Sequence, residues 1–173
     1  MVRGQKNPAH VGLPSRLKAA RRLRDIKHRP LASAAAIAPS TVGAIEKGQQ
    51  IPTVGKIAQL ASALRVSAAW LGFGIGDMLT EDAIATCDGM GARLQAVRIE
   101  RAVTKAELGR LAGLTAPSIT QIEKGGQSGV EVIEAIAQVL GLSPGWLAFG
   151  IGPQAPCAPR RGRPPAQSST PVG

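Results

Sequence analysis

Between residues 89 and 152 the apolar residues return every three or four positions, broken at short intervals by Thr, Ser, Gly and Pro. Leu94, Val97, Arg98 and Arg101 stand at i, i+3, i+4 and i+7, which predicts a first helix with two arginines beside its apolar seam. Thr104-Lys105-Ala106-Glu107 has the form of a capping box, in which the Thr hydroxyl and the Glu carboxylate satisfy amides left open at a helix start. A short helix through Leu108, Leu111 and Ala112 follows, and Gly113 suits the left-handed turn that ends it. Thr115 is placed to cap a third helix running through Ile119 and Ile122 to Gly125. Ser128-Gly129-Val130-Glu131 offers a second capping box ahead of Val132, Ile133, Ile136, Ala137 and Leu140. Ser143-Pro144 sets an N-cap before a proline at the first helical position and opens a short helix through Trp146 and Leu147. The pattern predicts five short helices and no strand.

The same pattern occurs earlier in the chain. Trp70-Leu71-Gly72-Phe73-Gly74-Ile75-Gly76 matches Trp146-Leu147-Ala148-Phe149-Gly150-Ile151-Gly152, and Ile45-Glu46-Lys47-Gly48 matches Ile122-Glu123-Lys124-Gly125. Arg16, Leu17, Ala19, Arg21 and Arg24 match Arg93, Leu94, Ala96, Arg98 and Arg101. The offset is 77 residues up to the glycines and 76 after them, so one residue is lost in the loop between. Solenoids need roughly three or more short repeats; two long copies mean a duplicated globular domain. The fold expected is all-α: two tandem five-helix domains, residues 12–76 and 89–152, with an acidic linker over 77–88 and disordered termini, including the tail 153–173.

Composition sharpens this picture. With no Tyr, two Trp and two Phe, the core must come mostly from Leu, Ile, Val and Ala, which favours closely packed helices over a β-sandwich. The net charge of +10 is uneven: residues 1–29 hold nine Lys/Arg against Asp25 alone, whereas 77–88 hold four acids and no base. A basic half suits a polyanionic partner. Cys87 and Cys157 lie far apart in connecting or tail sequence and form neither a disulfide framework nor a zinc motif. His10 and His28 lack a nucleophile or metal partner, and Gly72–Gly76 closes a domain instead of opening a strand-to-helix phosphate loop. No enzyme activity and no cofactor are expected. No apolar run is long enough for a membrane span and the N-terminus lacks an apolar signal region, so a cytoplasmic, nucleoid-associated protein without membrane contact is expected.

Two short helices joined at Gly113 form a helix-turn-helix arrangement. Leu108-x3-Ala112-Gly113-Leu114-x4-Ile119-x2-Ile122-Glu123-x-Gly125 resembles the Cro/CI-type family of the lambda-repressor-like superfamily. The closing Trp-Leu-x-Phe-Gly segment resembles the end of that domain in prophage-type regulators. The resemblance implies lambda-repressor-like domains and an ion pair between an Arg on helix 1 and a Glu ending helix 3. Arg98 and Glu123 match those positions, as do Arg21 and Glu46, each pair 25 residues apart. Exposed helix-end charges are the plainer alternative for both Glu residues.

In such domains the helix after the turn enters the major groove and reads base edges with residues near its N-terminus. In copy two these are Thr115, Ala116, Pro117, Ser118, Thr120 and Gln121, followed by Lys124. Gln121 is the best direct reader, because its amide donates and accepts together at adenine. Thr120 and Ser118 suit bases or phosphates, and Ala116 suits a thymine methyl. By the resemblance, Lys105 takes a phosphate-contacting position. The bland reading of these polar residues is a solvated helix face.

Copy one departs from the pattern. Lys27-His28-Arg29-Pro30 replaces the capping box, and Ala36 stands where copy two has Gly113. A left-handed Ala costs about 1 kcal/mol or more, so an altered turn is expected there. Its candidates are His28, Pro39, Ser40 and Thr41, with Arg22 and Arg24 on a first helix that also carries Arg16, Lys18, Arg21 and Lys27. The segment Ala38-Pro39-Ser40-Thr41-Val42-Gly43-Ala44 is poor in bidentate readers, so copy one reads as an electrostatic clamp and copy two as the sequence reader. The alternative is that copy one serves structure or dimerisation.

An extended linker of about twelve residues reaches roughly 40 Å, enough for half-sites about 34–36 Å apart in either relative orientation of the copies. A helical linker would span only about 18 Å. In the tail, Arg160-Arg161-Gly162-Arg163-Pro164-Pro165 resembles an AT-hook, with Arg161 and Arg163 set for a narrow A·T minor groove; a basic solubilising tail is the plainer alternative.

These features together imply a sequence-specific DNA-binding transcriptional regulator of bacterial or prophage type, a repressor before an activator. The partner expected is double-stranded DNA, bound as a homodimer or as an internal pseudo-dimer. The second reading is an antitoxin, holding a partner protein with one copy and its operator with the other.

Overall fold

A computed structural model describes residues 12–79 and 89–156. Among them are ten helices: α1 Leu13–Leu23, α2 His28–Ala34, α3 Pro39–Glu46, α4 Val54–Leu64, α5 Ala68–Phe73, α6 Met90–Glu100, α7 Lys105–Ala112, α8 Ala116–Glu123, α9 Val130–Val139 and α10 Pro144–Phe149. Helices α1–α5 form one module and α6–α10 the other, as the repeat predicts.

Local chemistry accounts for most boundaries. The Thr104, Thr115 and Ser143 side chains accept the N–H groups of Glu107, Ser118 and Trp146 at the starts of α7, α8 and α10. Thr53 and Ser67 do the same for α4 and α5. Gly113 ends α7 at φ +69°, a left-handed conformation that costs glycine nothing sterically. Two expectations need correction. Ala36 does not alter its turn: it adopts φ +51° and keeps the left-handed geometry, because packing of α3 overrides the local cost. Nor does Ser128 cap α9. The N-cap residue is Gly129, with no side-chain cap, while Ser128 is buried and its carbonyl is engaged by the other module.

Apolar side chains at helical spacing close each module. Leu17, Leu31, Ile45, Ile57, Leu60, Leu64 and Leu71 are fully buried in the first, and Leu94, Leu108, Ile119, Ile133 and Ile136 in the second. Each such burial is worth about 1.5–3 kcal/mol relative to exposure.

The modules meet through α5 and α10 and through the loops ahead of α4 and α9. Val54 N–H donates to the Ser128 carbonyl at 2.9 Å, and Val130 N–H donates to the Pro52 carbonyl at 3.2 Å. These bonds exchange when each residue is replaced by its counterpart 76 positions away. Equivalent residues also face each other: Thr53 bridges Gly129, and the Phe73 and Phe149 rings lie 5.9 Å apart. A Cβ added at Gly145 would fall 2.9 Å from the Cβ of Ala69, its counterpart. Contacts of i with j and j with i are the signature of a two-fold, isologous interface, here formed within one chain. The linker therefore does not leave both orientations open, because direct contact selects one. Glu134 of α9 is buried beside this interface; burial pushes its carboxyl up to about 7, Arg16 of the first module pulls it down, and Glu131 pushes it up.

Candidate nucleic-acid interface

The turn between the last two helices of each helix-turn-helix is built alike in both modules. Leu114 N–H donates to the Gly109 carbonyl at 2.7 Å, and Ile37 N–H to that of Ala32 at 2.9 Å. Each bond folds the chain back over the preceding helix and fixes where the next one starts. A Cβ at Gly109 would lie 2.9 Å from the Leu114 carbonyl oxygen, so α7 and the turn approach as closely as backbone allows.

Helix α8 buries Ile119 and Ile122 and turns Pro117 and Gln121 outward. Thr115 is exposed; Ala116, Ser118 and Thr120 are half-buried. Thr115 Oγ1 and Ser118 Oγ are 2.8 Å apart, and Thr120 Oγ1 donates to the Ala116 carbonyl at 3.1 Å. These hydroxyls already have partners within the helix, whereas Gln121 presents its amide at the exposed surface. In α3 Pro39 and Ser40 are exposed, and Thr41, Gly43 and Ala44 half-buried.

A polar triad ties each recognition helix to its module. Arg98 Nε donates to Glu123 Oε1 at 2.7 Å and Arg98 Nη1 to the Val103 carbonyl at 2.9 Å. Lys105 Nζ lies 3.0 Å from Glu123 Oε2. In the first module Arg21 holds Glu46 through Nε at 2.6 Å and Nη2 at 3.1 Å, and His28 Nε2 lies 2.9 Å from Glu46 Oε2. Burial opposes ionisation of Glu123, but hydrogen bonds from Arg98 and Lys105 outweigh it and hold the carboxyl below its usual value. Glu46 is likewise held down by Arg21 and His28 against burial. The buried-pair reading of both copies is therefore correct, and exposed helix-end charges are excluded. Lys105 and His28, expected as DNA contacts, have their side-chain nitrogens on these glutamates.

The arginine-rich first helix also divides differently from the clamp expected of it. Arg16 donates to the carbonyls of Leu71 and Gly72, both at 3.0 Å, and Arg93 to those of Leu147 and Ala148 at 3.0 and 2.9 Å. Arg24 donates to the Leu64 and Arg65 carbonyls at 3.0 and 3.2 Å, and Arg101 to that of Leu140. Each arginine closes carbonyls left open at a helix C-terminus. Arg16, Arg21 and Arg24 thus brace the module; Arg24, expected as a DNA contact, has its guanidinium on the Leu64 and Arg65 carbonyls. Lys18, Arg22, Lys27 and Arg29 remain exposed, together with Lys47 and Lys124 after the two recognition helices. The role of Arg16 and Arg93 was legible only as recurrence between copies. That of Pro52 and Ser128 left no signal, because they act through backbone carbonyls.

Arg161 and Arg163 lie outside the described residues, as do Cys87 and Cys157. Among the described residues no group of three or more His, Cys, Asp or Glu is placed to hold a metal ion, and no helix is long and apolar enough to cross a membrane.

Comparison with known families agrees with this geometry. Residues 17–71 match the family described as helix-turn-helix, and residues 90–147 match the one described as helix-turn-helix domain. Neither a curated protein nor a solved structure matches the chain. The chain belongs to the helix-turn-helix proteins, with a Cro/CI-type domain over residues 17–71 and a second helix-turn-helix domain over 90–147 in tandem. These domains indicate a DNA-binding regulator.

Proposed function

We propose that the protein is a sequence-specific transcriptional repressor of bacterial or prophage type. It occupies promoter DNA by laying α8 in the major groove, with Gln121 as the principal base reader and Thr115, Ala116, Pro117, Ser118 and Thr120 beside it. The observation that carries this reading is the outward Gln121 on a helix whose entry is fixed by the Gly113 turn and whose exit is fixed by the Arg98–Glu123 pair. Glutamine hydrogen-bonds adenine in bidentate fashion, and a helix held at both ends delivers it without rearrangement. Pro39, Ser40 and Thr41 lie on the corresponding stretch of α3, with Arg22, Lys47 and Lys124 as phosphate contacts. Lys105 and His28 approach phosphate only by sharing or leaving their glutamates. The internal two-fold takes the place of dimerisation between chains.

The test is a duplex-binding titration by fluorescence anisotropy over a range of salt. Six phosphate contacts drawn from the exposed cations give a log–log slope of affinity against salt of about −5, at roughly −0.9 per phosphate. A slope near zero, or no binding, refutes the nucleic-acid reading. Repression itself is read with a reporter carrying the selected site between promoter and start; unchanged output on expression of the protein would remove the repressor role.

A further inference from the structure

The isologous interface is occupied inside the chain, and the two recognition helices that it relates are chemically unequal. Phe73, Phe149, Ala69 and Gly145 are buried where α5 meets α10, so the face that would pair two chains in this manner is already covered. Short linkers raise the effective concentration of tethered partners to about the millimolar range, which favours the internal pairing over an equivalent one between chains. Alignment by the 77-residue offset places Gly43 and Ala44 of α3 where α8 has Thr120 and Gln121. A side chain at Gly43 would meet nothing within 4 Å, so packing does not demand the glycine. The two α3 positions that correspond to Thr120 and Gln121 are therefore blank, while its turn and its Arg21–Glu46 brace are complete.

We infer that one chain binds an asymmetric operator, one half-site read by α8 and the other held by α3 through backbone contacts with little base discrimination. This rests on the DNA-binding reading above. It follows from symmetry: the pseudo-two-fold relates α8 to α3, but only α8 carries a bidentate reader. Phosphate contacts fix register without carrying sequence information, so the second half-site contributes affinity and spacing, not identity. Homodimers of identical modules demand an inverted repeat; fusion of unequal modules removes that demand.

The experiment uses the full chain. Bound fragments are selected from random DNA, and the stoichiometry on the winning duplex is measured by sedimentation. The double variant Gly43→Thr/Ala44→Gln, which transplants the α8 readers onto α3, is then titrated on that duplex and on an inverted repeat of the selected half-site. The expected result is one chain per duplex, a single constrained half-site, and less than about threefold loss when the other half is scrambled. The variant gains about tenfold or more on the inverted repeat, the discrimination a good bidentate contact supplies. A selected motif with both halves equally constrained, two chains per duplex, or no gain by a variant that melts like the parent overturns the inference alone. Stoichiometry and motif symmetry decide the matter even if the variant does not fold. Absence of any selective binding overturns the DNA-binding reading and this inference with it.

Discussion

Replacing Arg98 tests the brace that positions the reading helix. The Arg98 and Glu123 side chains are 12% and 4% exposed and joined at 2.7 Å, with Lys105 at 3.0 Å from the other carboxylate oxygen. Arg98→Met leaves Glu123 buried with one partner, at the end of the helix proposed to enter the groove. Stranding one charge of a buried pair costs about 3–5 kcal/mol, an upper bound here because Lys105 stays on Glu123. At a urea m-value of about 1.5 kcal/mol/M, that lowers the unfolding midpoint of module two by up to roughly 2–3 M. Arg101→Ala serves as the contrast, because it removes one bond to the Leu140 carbonyl at an exposed site, worth about 1 kcal/mol. The assay is urea denaturation followed by Trp146 fluorescence in a Trp70→Phe background, so that the signal arises in module two. Arg98→Met/Glu123→Leu should recover most of the loss, since a buried pair exchanged for apolar groups is often neutral, and Lys105 returns to water. Equal midpoints for Arg98→Met and Arg101→Ala, or a double variant no better than the single, would refute the argument.

Three further outcomes follow from the geometry. Glu134 keeps its proton in the fold up to about pH 7 but ionises near 4.5 when unfolded, so stability should fall as pH rises between those values, by at most about 3 kcal/mol; Glu134→Gln should abolish that fall in paired urea titrations at pH 5 and 8, and parallel curves for both proteins would contradict it. Glu46 and Glu123 run the other way: their carboxyls are held low, so their contribution is complete above about 4.5 and lost as pH falls through their lowered values, which acid denaturation of Glu123→Gln against the parent should show as a shallower loss. Gly113→Ala should destabilise by about 1 kcal/mol without a clash, because no atom lies within 4 Å of the added Cβ and only the left-handed φ opposes it; a melting point equal to the parent's would show that this turn does not require glycine.

Most of the fold was legible because the duplication let each copy check the other. The caps at Thr104, Thr115 and Ser143 and the turn at Gly113 stand where spacing put them, and both Arg–Glu pairs stand where the family resemblance implied them. Propensity misjudged Ala36, since a local cost of about 1 kcal/mol is small against tertiary packing. Ser128 looked like a cap because its spacing to Glu131 fits one, but the inter-module bond from Val54 claims that loop. Charge alone could not show which arginines of α1 hold carbonyls: Arg24 and Arg22 differ only in which face of the helix they occupy. Recurrence did carry that information, because arginines shared between copies serve the scaffold common to both. The proposed readers lie where the copies differ, at Thr120 and Gln121 against Gly43 and Ala44.

The central claim is that α8 reads bases while the exposed cations hold the backbone, and paired titration measures both at once. Gln121→Ala and Arg22→Ala are each titrated on the selected duplex and on a scrambled one, at two salt concentrations. Gln121→Ala should lose about 1–3 kcal/mol on the selected duplex, little on the scrambled one, and keep its salt slope. Arg22→Ala should weaken both duplexes alike and make the slope shallower by about one. Equal losses on both duplexes for Gln121→Ala, or a loss confined to the selected duplex for Arg22→Ala, would contradict the account.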